Sequence, residues 1–367
     1  MVIQEEIREK KRRLRALLQE LQLDAIYLKR QPNFAWLTAG GSNVVGITLE
    51  LGVAGLLLAA EREYAICNNI EAPRMEKEER LEEQGYRIRT FPWYEDRELE
   101  LVRELAGDGK IGADHPLAGA IDISRRINAL RFSLTPWEVE RYNKVGRLTS
   151  RAIEETAAGI LQGDKECSIV GRLVGRLWED RLDYITILCA ADDRIAEFRH
   201  PIATEKRVRK RVMLSVNARQ YGLVVSLTRF VQFGAVPAEI RSIYDANVLI
   251  DCTLMAHTVP GRPVVEAFRK GVEAYVRAGY PEEYRHHHQG GAIGYVGRDY
   301  KVDFHTEEIV QDSQAFAWNP SITGSKSEDT MIASVTGPML ISSPIMFPTL
   351  KQEVAGHTFV RPDILEL

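Results

Sequence analysis

Histidine chemistry is concentrated at two places in this chain. His200 stands in Phe198-Arg-His-Pro201, and three more occur in a row in Arg285-His-His-His-Gln-Gly-Gly-Ala-Ile-Gly294. An imidazole changes charge near neutral pH and can pass a proton in either direction. On a regular strand adjacent side chains alternate faces, so His286 and His288 are expected on one side and His287 on the other. Three consecutive histidines then cannot all face one metal ion. Gly290-Gly291 opens the backbone to close approach by a ligand. Arg298 follows, with a guanidinium that can hold a carboxylate through two parallel hydrogen bonds or pair with its neighbour Asp299. Tyr295 lies on the same segment. Farther on, Lys326-Ser-Glu-Asp-Thr330 places Glu328 close to a lysine.

Elements must position these groups. Apolar residues at helical spacing (Ile3, Ile7, Leu14, Leu17, Leu18, Leu21) predict an opening amphipathic helix over 3–22. Strands are expected at 24–28, 53–59, 63–67 and 86–91, with helices near 69–84 and 96–106 and a turn-rich stretch from Arg30. Strands interleaved with helices argue for an α/β layer over residues 1–132. Thr135 as N-cap and Pro136 in the first turn predict a long helix through Gly159, which opens a second domain over 133–367. Further helices are expected near 166–179, 238–256 and 260–278, and strands at 185–190, 211–217 and 223–232. The remainder is strand-rich. The fold class is α/β (α+β).

The whole-chain balance is that of a soluble globular protein: 367 residues, 45% hydrophobic, 27% charged, net charge −4. That charge gives no reason to expect nucleic acid or an anionic membrane as partner. The short basic run Lys206–Arg211 leads into a strand and is expected to be a solvated edge. The longest apolar run, Gly52–Ala60, falls far short of the about 20 residues that span a bilayer. The charged N-terminus lacks a signal peptide's apolar core. Cys67, Cys167, Cys189 and Cys252 are too dispersed for zinc or a disulfide framework, and are expected to be buried free thiols in a reducing, cytoplasmic setting. Neither a Gly-x-Gly-x-x-Gly, a P-loop nor a Gly-x-Ser-x-Gly elbow occurs.

The frame Val212-Met-Leu-Ser-Val-Asn-Ala-Arg-Gln-Tyr-Gly-Leu-Val-Val-Ser-Leu-Thr-Arg-Phe-Val-Gln-Phe-Gly234 resembles the metal-binding hairpin of the creatinase, prolidase and aminopeptidase P superfamily, the pita-bread hydrolases. Gly222, Thr228-Arg229 and Gly234 keep its pattern. Ser215 and Ser226 stand where the family has metal-binding aspartates. Followed onward, the resemblance puts Gly291 at the family's histidine ligand, Asn319 at its first glutamate and Glu328 at its second. It implies an N-terminal creatinase-like domain, a C-terminal pita-bread domain and a homodimer.

Two hard dications at close range need several carboxylates, and one ligand of five cannot supply them. The expectation is therefore no metal and no cofactor, with Xaa-Pro peptidase activity disfavoured. Within the family, creatinase is the precedent for hydrolysing a C–N bond without metal. By that resemblance His200 is the acid/base, and Glu328 holds a cationic group unless it pairs internally with Lys326 or Arg229. His287 and Arg298 orient a small polar or zwitterionic substrate, with Ser215, Ser226 and Asn319 in the emptied cavity. Asn33-Phe-Ala-Trp-Leu-Thr-Ala-Gly-Gly41 resembles a family loop motif, which makes Trp36 and Asn43 further contact candidates. The alternative is a silent paralogue that binds a small molecule or a protein.

Overall fold

The computed structural model describes residues 2–59 and 62–367, so Ala60, the end of the apolar run, lies outside them. The chain forms two compact units, Met1–Arg131 and Phe132–Leu367. In the first, a helix over Val2–Glu20 buries Ile7, Leu14 and Leu17 from its apolar stripe. Its strands are β1 (Ala25–Arg30), β2 (Leu51–Ala59), β3 (Glu63–Asn68), β4 (Arg87–Phe91), β5 (Ile111–Ala113) and β6 (Ile121–Asp122). They form one mixed sheet in the order β4-β3-β2-β1-β5-β6.

Two local expectations change here. The stretch after Arg30 is helical, Gln31–Leu37, because Pro32 sits in the first turn where its missing N–H costs nothing. Only Ala72–Lys77 of the expected 69–84 helix forms; Arg80 takes a φ of +51°, which a helix cannot continue through.

The second unit opens with a helix over Pro136–Ala158. Thr135 and Glu138 exchange side-chain and backbone hydrogen bonds across its first turn, closing a capping box. A helix over Glu166–Glu179 follows, with Cys167 exposed rather than buried. Three strands come next: β7 (Asp183–Ala191), β8 (Arg211–Gln220) and β9 (Leu223–Gln232). Tyr221 and Gly222 join β8 to β9 with φ of +56° and +77°, the two left-handed residues of a tight hairpin whose twist suits the strands.

Helices Ala238–Ala256 and Val264–Arg277 precede the strand-rich end. That end holds β10 (Gly290–Ala292), β11 (Tyr300–Lys301), β12 (Gln314–Trp318), β13 (Ser321–Ile322), β14 (Ser325–Lys326) and β15 (Asp329–Ala333). It finishes with β16 (Met339–Leu340), β17 (Thr349–Val354), β18 (His357–Pro362) and β19 (Leu365–Glu366).

Two sheets position the chemistry: β19-β9-β8-β7 and β11-β10-β12-β15-β16. Every residue of β9 is buried, so it lies covered on both faces. The core joins Phe230 and Tyr244 to Phe316, Trp318 and Met331. Among the described residues no helix is long and apolar enough to cross a membrane.

Candidate functional site

Glu328, just before β15, is the buried centre of a polar cluster. Across the β8–β9 register Ser215 faces Thr228, and both hydroxyls donate to Glu328 Oε2, at 3.1 and 3.0 Å. Lys326 Nζ lies 2.8 Å from the same oxygen and 3.4 Å from Ser215 Oγ. Arg298 Nη2 is 3.8 Å from Glu328 Oε1, while its Nη1 donates to the Ala317 carbonyl at 2.8 Å. Burial opposes ionisation of Glu328, yet the charges of Lys326 and Arg298 outweigh it and hold the carboxyl below its usual range. The expected free carboxylate for a substrate cation is therefore not there: the chain supplies its own cation, and it is Lys326.

Arg229, the other candidate partner, is used elsewhere. Fully buried, it pairs with Glu154 at 2.9 Å and Asp329 at 3.1 Å, tying β9 to the Pro136–Ala158 helix and to β15. Tyr295 is also structural, donating its hydroxyl to Glu138.

Beside Glu328 an open cleft of about 290 Å³ is lined by Ser215, Asn217, Arg298, Lys301, Asn319, Lys326, His200 and His288. Three formal cations, Arg298, Lys301 and Lys326, stand there against one carboxylate. Asn319 Oδ1 is buried without a partner. Ser226 shares the strand face of Ser215, but it is fully buried and lies outside the cleft lining.

The histidines do not alternate as expected. Glu283–Arg285 forms a single 3-10 turn, and His286–Gln289 are not strand; β10 begins only at Gly290. Freed from strand geometry, His287 and His288 stack at 4.3 Å between ring centroids. Both pack against His200, at 4.8 and 5.8 Å. His287 Nε2 and His200 Nε2 are 3.0 Å apart, so one donates and the other accepts. His286 points away into solvent exposure. Burial, joined by neighbouring positive charge, lowers all three pKa values: His287 to about 2, His288 to about 4, and His200 below its ordinary value. The imidazoles are neutral at pH 7.

The glycine pair has a different purpose from the one expected. Gly291 has φ +151°, and a Cβ there would lie 2.2 Å from the Tyr300 carbonyl oxygen of β11; at Gly290 it would lie 2.3 Å from the Ala317 carbonyl oxygen of β12. Strand packing, not ligand approach, requires glycine. Gly291→Ala is expected to cost at least about 1–3 kcal/mol of stability from backbone strain. Denaturant unfolding checks this, and an unchanged midpoint would contradict it.

Two candidates leave the site. Trp36 is fully buried in the first unit's core and presents no surface to a ligand. Asn43 is buried there as well, donating to the carbonyls of Lys29 and Ala54.

A carboxylate-bridged metal pair does not fit these residues. Of the five positions that the resemblance marks, only Glu328 carries charge, and an ammonium already occupies its coordinating oxygen.

Solved structures share this fold. The Xaa-Pro dipeptidase from Bacillus anthracis is 18% identical, with a TM-score of 0.77 over 98% of this chain and 100% of that one. The recombinant prolidase from Thermococcus sibiricus is 17% identical, with a TM-score of 0.78 over 98% of both chains. The N-terminal domain of FACT complex subunit SPT16 from Cicer arietinum (chickpea) is 12% identical, with a TM-score of 0.72 over 93% of this chain and 97% of that domain. At these identities the likeness establishes the fold, the pita-bread architecture of prolidases behind an N-terminal domain. No protein-family model matches the chain, and no curated protein does.

Proposed function

We propose that the second unit is a hydrolase for a C–N bond in a small, carboxylate-bearing molecule, working without the bridged metal pair of a prolidase. One observation carries the reading: the cleft sets Arg298, Lys301 and Lys326 against a single carboxylate that two of them already engage. Such a cleft favours an anion, and the zwitterion expected from the sequence is narrowed to its carboxylate end. Arg298 and Lys301 hold that group, since charge-assisted hydrogen bonds from a desolvated guanidinium are among the stronger contacts available. Asn319 Oδ1, lacking a partner, accepts from an amide or guanidino N–H of the substrate. His200, neutral and open to solvent, moves the proton; His287, expected to orient the substrate, is outside the cleft lining and instead fixes the His200 ring through Nε2. The free thiols support a reducing, cytoplasmic setting, and the homodimer implied by the resemblance is part of the same reading.

Calorimetric screening of small acyl-amino, guanidino, amidino and cyclic amide carboxylates tests it. A carboxylate-bearing ligand should bind, and Arg298→Met should weaken it about 10- to 100-fold, the worth of a charged hydrogen bond. Binding confined to cationic ligands, or indifferent to that substitution, would sink the proposal.

A second reading, binding without turnover, is favoured by the internal Lys326–Glu328 ion pair, which leaves the cleft no free carboxylate. It predicts a ligand that binds but is never hydrolysed.

A further inference from the structure

We propose that His200, His287 and His288 form a mononuclear site for a borderline divalent ion of the zinc type. It lies beside the family's five ligand positions and uses none of them. One ligating nitrogen from each ring falls within 4.8 Å of the others. Two nitrogens bound at 2.0–2.1 Å in a tetrahedron stand roughly 3.3 Å apart. His200 Nε2 and His287 Nε2 are at 3.0 Å, already close to that spacing. The remaining separation closes by ring rotation within a loop that carries no strand pairing.

An independent observation points the same way. His288 Nδ1 is buried with no hydrogen-bond partner, on a ring stacked against His287, and is free to serve as the third ligand. An unpaired buried nitrogen is costly, and a bound cation would give it a partner. Neutral imidazoles also present lone pairs, which a metal needs. Three nitrogen donors select zinc, cobalt, nickel or copper over magnesium, calcium or manganese. His200 is exposed, so a fourth position stays open to water or to an anion, as in catalytic rather than structural sites. Lys301, Lys326 and Arg298 oppose a dication here, and they favour an anion as its fourth ligand.

The inference does not rest on the hydrolase reading. An ion would take the lone pairs assigned there to proton transfer, so bound metal should suppress turnover.

The test uses tag-free full-length chain, stripped with chelator and titrated with cobalt(II) in the absence of any substrate. One equivalent should bind, with the intense visible absorption of a four- or five-coordinate ion. His287→Ala and His288→Ala should each reduce affinity by more than the roughly 10- to 100-fold that loss of an outer-shell partner costs. Unchanged melting temperatures would show that these variants fold. As a second readout, copper(II) bound to the unsubstituted chain should show nitrogen hyperfine coupling in its paramagnetic resonance spectrum. No stoichiometric binding, or binding that survives both substitutions, would overturn the site.

Discussion

Arg361→Ala is expected to destabilise the second unit by about 3–5 kcal/mol, the cost of stranding buried charge. Arg361, in β18, is completely buried. Its Nη2 bonds Asp251 at 2.8 Å, Asp329 at 2.9 Å and Ser327 Oγ at 3.2 Å, and its Nη1 reaches Met255 Sδ at 3.1 Å. Through Asp329 it joins Arg229 and Glu154, so one network braces β9, β15, β18 and two helices behind the cleft. Alanine would leave two carboxylates facing each other without their shared cation. Burial already pushes the Asp251 carboxyl up to about 6 even with the guanidinium present. The loss should therefore shrink in acid, where Asp251 takes a proton, and Asp251→Asn should recover part of it. Urea unfolding at several pH values measures this; a loss below about 1 kcal/mol would mean that the network is not the brace described.

Lys326→Met should have a comparable effect of about 3–5 kcal/mol at neutral pH, with a definite pH signature. In the native chain Glu328 is held below its ordinary pKa. It therefore contributes stability above the unfolded carboxylate range, which is lost as pH falls through the lower folded value. Without Lys326 the burial effect dominates and the folded pKa rises above the unfolded one. The sign then inverts: the variant is least stable where Glu328 is ionised and recovers as pH falls through the raised value. Lys326→Met combined with Glu328→Gln should be more stable at pH 7 than Lys326→Met alone. Equal stability of the two at that pH would show that Glu328 does not depend on the lysine.

Much of the architecture is legible in the chain because it follows from local rules. Helices Glu166–Glu179 and Ala238–Ala256 and strand Leu223–Gln232 fall where periodicity and turn residues put them. The Tyr221-Gly222 turn sets the register that pairs Ser215 with Thr228. The helix after Arg30 reads as a turn because Pro32 is a breaker in most settings and a helix opener in one.

The site is harder to foresee because its contacts are distant in sequence. Arg229 meets Glu154 and Asp329, 75 and 100 residues away, and nothing local announces either partner. The Lys326–Glu328 pair is visible as an option, two residues apart, and only the folded geometry chooses it. The histidines show the limit most clearly. Strand alternation separates His287 from His288, whereas the 3-10 turn at Glu283–Arg285 delivers both rings to His200.

That this prolidase-like fold does not run prolidase chemistry is the expectation set by Lys326 at Glu328. Its most direct test is manganese titration of the full-length chain, read by calorimetry, with a parallel assay of Xaa-Pro dipeptide cleavage. No paired-ion binding and no cleavage are expected, because Lys326 already offsets the charge that a metal would meet at Glu328. Two manganese ions per chain with peptide cleavage, both lost in Glu328→Gln, would contradict it.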